Sequence, residues 1–156
     1  MRRTILALAA MSVALLMATS VALAVVKSGT QGPDALDGTR NADEISGLGG
    51  GDDIRGLASN DELYGDADDD TVRGGRGADD IYGGGGIDRL LGGDGDDLIV
   101  SADRNRDTIG CGDGLNDTVY PDERDQPGSG CENIYPMNPV VANTVVLNDK
   151  AALKVP

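Results

Sequence analysis

The chain of 156 residues predicts an all-β fold assembled from a nine-residue repeat. Three observations carry this expectation. Residues 29–100 divide without a gap into eight nonapeptides, each with Gly at position 1, Asp at position 6 and Leu, Ile or Val at position 8. Position 4 holds Gly32, Asn41, Gly50, Ser59, Asp68, Gly77, Gly86 and Gly95. With Ser59 the weakest fit, these are residues that tolerate a left-handed backbone, so each unit is expected to turn there with positive φ. The composition offers 24 Gly and neither Phe nor Trp, which argues against a conventionally packed core. The first six residues of a unit therefore read as a turn. The last three, x-aliphatic-x, read as a very short strand whose middle side chain points inward.

Ahead of the repeat, residues 1–24 read as a secretory signal. Arg2 and Arg3 give the positive start, Ile5 to Leu16 the apolar run, and Ala22-Leu23-Ala24 a small-x-small cleavage site. The mature chain would begin near Val25, leaving residues 25–28 as a short lead. The alternative is an uncleaved membrane anchor, since Thr4 to Val26 carries no charge and is long enough to span a bilayer. The net charge of −14 makes nucleic acid and anionic membrane surfaces poor partners. An acidic, Gly-rich chain also suits disorder. Disorder, however, has no use for Asp at a fixed step of nine.

That Asp set is Asp34, Asp43, Asp52, Asp61, Asp70, Asp79, Asp88 and Asp97. The aliphatic set is Leu36, Ile45, Ile54, Leu63, Val72, Ile81, Leu90 and Ile99. With the glycines, these units resemble GGxGxDxUx, the calcium-binding nonapeptide of the RTX family. The resemblance implies a parallel β-roll, a right-handed β-solenoid with 18 residues per coil. Loops one coil apart would stack at about 4.8 Å. One edge would carry Asp34, Asp52, Asp70 and Asp88, and the other Asp43, Asp61, Asp79 and Asp97. Carboxylates together with the carbonyls of glycine turns form a flexible oxygen cage suited to Ca²⁺. One ion between successive loops gives about six sites, plus one or two at the irregular end. Glu44, Asp53, Glu62 and Asp80 at position 7 read as solvated surface, and Asp66, Asp68, Asp69, Asp94 and Asp96 as loop charge rather than ligands.

After Val100 the register slips. Asp107 and Asp117 keep the Asp-x-aliphatic spacing with Ile109 and Val119, but each follows its predecessor by ten residues, and Ser101 replaces the opening glycine. They join the candidate ligands on strand logic rather than loop logic. Cys111 and Cys131 are the only cysteines, and in an exported chain an even pair suggests a disulfide; two free thiols are the alternative. Residues 101–135 also resemble the terminal unit of small secreted calcium-binding repeat proteins of bacteria. That implies a cap over the open end of the roll, pinned by the disulfide. Residues 136–156 read equally well as an extra strand or a loose tail.

The chain has no His, which excludes a His-containing zinc protease motif and a Ser-His-Asp triad. The Gly-rich loops lack Gly-Lys-Ser/Thr, and the EF-hand-like start at Asp66 has Thr71 and Gly77 where Gly and Glu are required. No enzyme is expected. The function expected is that of a secreted, extracellular bacterial protein that binds several Ca²⁺ ions and folds on doing so. An alternative is a Ca²⁺-dependent adhesion protein for cell-surface or matrix components, with Tyr64 and Tyr82 stacked on one outer face. Another is a repeat fragment associated with a secreted protease or other hydrolase. An N-terminal signal departs from the toxins of this family, which leave the cell through a one-step exporter with a C-terminal signal.

Overall fold

In a computed structural model of the chain the described residues are 23–137. The expected signal segment as far as residue 22 and the tail from residue 138 lie outside them. The described residues form no helix and fold as a solenoid of two parallel sheets. One sheet runs β1 (Val26–Ser28), β3 (Glu44–Ser46), β5 (Glu62–Ala67), β7 (Asp80–Gly85), β9 (Leu98–Val100), β11 (Thr118–Tyr120) and β13 (Asn133–Ile134). The other runs β2 (Ala35–Asp37), β4 (Asp53–Ala58), β6 (Thr71–Arg76), β8 (Arg89–Asp94), β10 (Thr108–Asp113) and β12 (Gln126–Pro127). Successive strands therefore alternate between sheets, and each pairs with the strand one coil away. Pairings such as Ile54 with Val72 and Leu63 with Ile81 set the coil at 18 residues, as the family resemblance implied.

The core follows from the repeat. Position 8 points inward on every strand, so Ile45, Ile54, Leu63, Val72, Ile81, Leu90 and Ile99 are all fully buried. Ile109 and Val119 extend the column through the irregular coils, where Leu90 pairs with Ile109 and Ile99 with Val119. At the other end Lys27, paired with Ile45, takes the inward position on β1.

Two expectations about the unit need correction. The strands β4 to β8 and β10 are six residues long, not three. Each continues through positions 1–3 of the next unit, so the position-1 glycine faces inward just as position 8 does. The expected positive φ at position 4 is found at Gly50, Ser59, Asp68, Gly77, Gly86 and Gly95, but not at Gly32 or Asn41. In those first two units Thr30 and Thr39 stand at position 2, and their hydroxyls accept the backbone N–H of Gly32 and Asn41. A side-chain turn thus replaces the left-handed one. From the third unit onward position 2 also has positive φ, at Leu48, Leu57, Asp66, Gly75, Gly84 and Gly93. The Gly-Gly openings at Gly74, Gly83 and Gly92 were the available signal for this.

Outside the sheets, Tyr64 and Tyr82 stack with ring centroids 4.9 Å apart, as position 9 predicted, and Tyr120 and Tyr135 form a second pair at 5.6 Å. On the opposite sheet Arg55 pairs with Asp37, and Arg73 with Asp53. Cys111 and Cys131 are joined in a disulfide. Cys111 occupies on β10 the inward position that glycine holds in the regular coils, and it is fully buried. The disulfide therefore ties the last core layer to the segment preceding β13.

The left-handed positions generate a prediction. A Cβ on Gly75, at φ 122°, would lie 2.4 Å from the Leu57 carbonyl oxygen. Gly75→Ala should destabilise the folded protein by at least about 2 kcal/mol, adding a clash to the left-handed penalty. Leu57, at φ 85° with a largely exposed side chain, already bears that penalty. Leu57→Gly should be neutral or stabilising by up to about 1 kcal/mol. Denaturant midpoints of the two variants, measured under identical folding conditions, check the contrast.

Candidate metal centre

Position 6 immediately precedes each strand, where the chain turns from one sheet to the other. There the Asp side chain folds inward. Asp52, Asp61, Asp70, Asp79, Asp88 and Asp97 are each no more than 3% exposed. One carboxylate oxygen of each has a fixed task. Oδ1 accepts the backbone N–H of the residue at the same place one coil earlier. On one edge the N–H groups of Asp34, Asp52 and Asp70 donate to Asp52, Asp70 and Asp88 at 2.8, 2.7 and 2.9 Å. On the other, Asp43, Asp61 and Asp79 donate to Asp61, Asp79 and Asp97 at 2.8, 2.8 and 2.9 Å. The predicted Asp stacks are thus two continuous side-chain ladders, one on each edge.

The second oxygen is different. The Oδ2 atoms of Asp52, Asp61, Asp70, Asp79, Asp88, Asp97, Asp107 and Asp117 are buried with no hydrogen-bond partner. A buried carboxylate oxygen without a donor is costly, and either a proton or a cation would meet that cost. The space around it is a cradle of oxygens. A Cβ built on Gly74 would lie 2.3 Å from Asp79 Oδ2 and 2.7 Å from the Gly92 carbonyl oxygen. On Gly56 the distances would be 2.4 Å to Asp61 Oδ2 and 2.8 Å to the Gly74 carbonyl oxygen. Glycine recurs at position 1 because the carboxylate fills the volume a side chain would need. Among the described residues no three acidic, Cys or His side chains converge on one point. A cation here would therefore draw on backbone carbonyls as well as carboxylates, and an all-oxygen donor set fits Ca²⁺.

The structure sorts the candidate residues in a way the register did not suggest. Asp107 and Asp117, beyond the slip, behave like the regular six. They accept the N–H groups of Asp88 and Asp97, each at 2.8 Å, and keep a buried unpartnered Oδ2. Asp34 and Asp43, inside the regular repeat, differ. Oδ2 of each accepts the N–H of Thr30 or Thr39, so protein donors already meet it. Two rungs were missed. Asp125 accepts the Asp107 N–H at 3.0 Å, and Glu132 Oε2 accepts that of Asp117 at 3.1 Å. Each sits directly before a strand, in Asp125-Gln-Pro127 and Glu132-Asn-Ile134, and that acid-x-apolar spacing was the legible signal. The loop acids are bridges between coils. Asp66 accepts the Leu48 N–H, Asp68 that of Gly50, and Asp69 that of Ile87.

Burial raises the pKa of the eight carboxylates whose Oδ2 has no partner. Desolvation is the largest cause, and repulsion between neighbouring carboxylates adds to it. The ladder hydrogen bond opposes both. Asp61 and Asp88 are pushed up to about 6, and Asp70, Asp97 and Asp107 to about 7. Asp52, Asp79 and Asp117 move in the same direction.

A pH prediction follows for the metal-free protein. A carboxyl whose folded pKa is raised favours folding in its protonated form. That contribution is fully present below the unfolded value of about 4 and is lost as pH rises through the folded values. In chelator, the β-sheet circular dichroism signal should be stronger and melt higher at pH 5 than at pH 8. A metal-free protein more stable at pH 8 would contradict the buried-carboxylate account.

A family model described as the RTX calcium-binding nonapeptide repeat, in four copies, matches residues 28–63, 46–81 and 74–103. No curated protein and no solved structure matches the chain. The matched stretch contains every regular unit, both ladders from Asp34 to Asp97, and the aliphatic column between them. Residues 28–103 of this chain belong to the RTX calcium-binding nonapeptide repeats.

Proposed function

We propose that the protein is a secreted, non-catalytic module whose two carboxylate ladders bind Ca²⁺ outside the cell, and that folding and ion binding are coupled. The observation that carries this reading is the set of buried Oδ2 atoms without a partner on both edges of the roll. Asp52, Asp61, Asp70, Asp79, Asp88, Asp97, Asp107 and Asp117 would hold the ions together with position-1 carbonyls. Asp34 and Asp43, with Thr donors on their second oxygens, would serve the end loops. When bound, Ca²⁺ supplies positive charge and a demand for several oxygens without strict geometry.

The chain's own residues do the rest. Oδ1 of each Asp fixes the spacing between coils, position-1 glycine leaves room for Oδ2, and one aliphatic side chain per unit closes the core. Burial of that side chain contributes about 2 kcal/mol. This does not offset about 1–2 kcal/mol of backbone entropy for each of nine residues. At cytoplasmic Ca²⁺ levels the chain would stay extended. At extracellular levels it would fold, because extracellular modules bind Ca²⁺ at about 10⁻⁴–10⁻³ M. The N-terminal signal reading and the repeat family support export; the His-free sequence supports a structural role.

Calcium titration followed by circular dichroism and calorimetry tests this at neutral pH. The expected result is a disordered spectrum in EDTA, a β spectrum in millimolar Ca²⁺ and binding of several ions. A β spectrum indifferent to chelation would sink the proposal. Coordination also favours the ionised carboxylate, so stability in Ca²⁺ should be present at neutral pH and lost as pH falls, opposite to the metal-free protein. Asp70→Asn separates the two roles of the side chain. Its amide oxygen still accepts the Asp52 N–H, and its NH₂ group enters space shared with the Gly83 carbonyl. The variant should bind fewer ions and gain metal-free stability, whereas Asp70→Ala should lose both.

A further inference from the structure

The first rung of one ladder is not an Asp. It is Val25, whose backbone nitrogen lies 2.7 Å from Asp43 Oδ1, in the place that Asp43 occupies toward Asp61 one coil later. The Val25 carbonyl in turn accepts the Glu44 N–H at 2.9 Å, and β1 starts at the next residue. Leu23 and Ala24 are exposed and lie outside any strand. The boundary between chain without strand pairing and chain held by the roll therefore falls between Ala24 and Val25. This is also the bond that follows the Ala22-Leu23-Ala24 triplet.

We propose that cleavage at Ala24–Val25 creates a structural cation: the new α-ammonium of Val25 lands on Asp43 and caps the acidic ladder. This rests on the reading of residues 1–24 as a signal. In the cleavage, by an export-linked peptidase, water adds across the peptide bond. Its oxygen goes to the Ala24 carbonyl carbon, the C–N bond breaks, and Ala24 leaves as a carboxylate. The Val25 nitrogen takes both protons of the water and becomes –NH₃⁺. A neutral N–H donor at Asp43 is thereby replaced by a charged one. Asp43 is 4% exposed, so the hydrogen bond becomes charge-assisted in a poorly solvated place. Glu44, Asp61, Glu62 and Asp80 line the same groove, so the added charge enters a field of carboxylates. Before cleavage the same nitrogen is an uncharged amide.

Two measurements test this, and they fail separately. Mass spectrometry of the full-length chain after export from a bacterial host should give a mature N-terminus at Val25; an intact chain, or a cut elsewhere, would overturn both the signal reading and the cap. Chains 25–156 with a free or an acetylated Val25 nitrogen are then melted in saturating Ca²⁺ at neutral pH. The free form should melt higher by about 3–6 °C, the size expected for one charge-assisted contact in a chain of this length. The gap should narrow at high salt and close in Asp43→Asn. Equal melting of the free and acetylated forms, with cleavage at Val25 confirmed, would overturn the cap and leave the signal reading intact. If Asp43→Asn does not fold, the salt dependence of the free-minus-acetyl difference decides the same question, because a cap that is not electrostatic would leave that difference unchanged.

Discussion

The hydrogen bond from a backbone N–H to the carboxylate of the next coil is the contact on which the rest of this solenoid depends. It occurs on both edges and joins coil to coil from Val25 and Asp34 through to Glu132 and Asp125. Parallel strands as short as three residues make few backbone bonds, so the side-chain rung adds a pairing where the strand is about to start. It also brings the carboxylate into the roll. Once inside, the carboxylate needs volume, and the position-1 residue must surrender its side chain. Much of the glycine richness of the sequence is thus a consequence of where the aspartates go.

The same contact sets the central cost of the fold. Neighbouring carboxylates on an edge are one coil apart, about 4.8 Å. At an effective dielectric of about 20, two charges at that distance repel by about 3 kcal/mol. One buried aliphatic side chain contributes about 2 kcal/mol. A fully ionised ladder therefore opposes the hydrophobic column at comparable strength, and desolvation of each carboxylate works in the same direction. Protons or cations tip the balance. Either one gives the fold an external dependence that a larger apolar core would have removed.

The repeat was legible because the inward-facing positions 1, 6 and 8 tolerate so few residue types. The nine-residue spacing together with the family resemblance placed Ile54 against Val72 and Asp61 against Asp79. The positions that were misread are those where more than one chemistry solves the same problem. Thr30 and Thr39 organise their turns through hydroxyls, so Gly32 and Asn41 have no left-handed duty despite matching the pattern. Leu48 and Leu57 accept a left-handed backbone that no composition rule would assign to leucine. Asp125 and Glu132 keep the acid-x-apolar spacing but depart from the Asp-x-aliphatic form of the other units, with Pro127 at the apolar position of one and Glu as the acid of the other. In each case the backbone requirement persisted while the side chain that met it changed.

The irregular end shows which feature is conserved along the roll. From Asp88 to Asp107 the rung spans 19 residues, from Asp97 to Asp117 it spans 20, and from Asp117 to Glu132 only 15. The strands stay in register across the first two slips, with Leu90 against Ile109 and Ile99 against Val119. The surplus residues go into the turns, where Arg104 takes a left-handed φ of 82° and Asp122 accepts its N–H. In the shortened turn the acid is Glu, whose extra methylene lengthens the reach to the same N–H. The ladder is therefore not a by-product of a nine-residue period. The nine-residue period is one regular way of keeping the ladder intact, and where the period fails, loop length and side-chain length adjust around the rung.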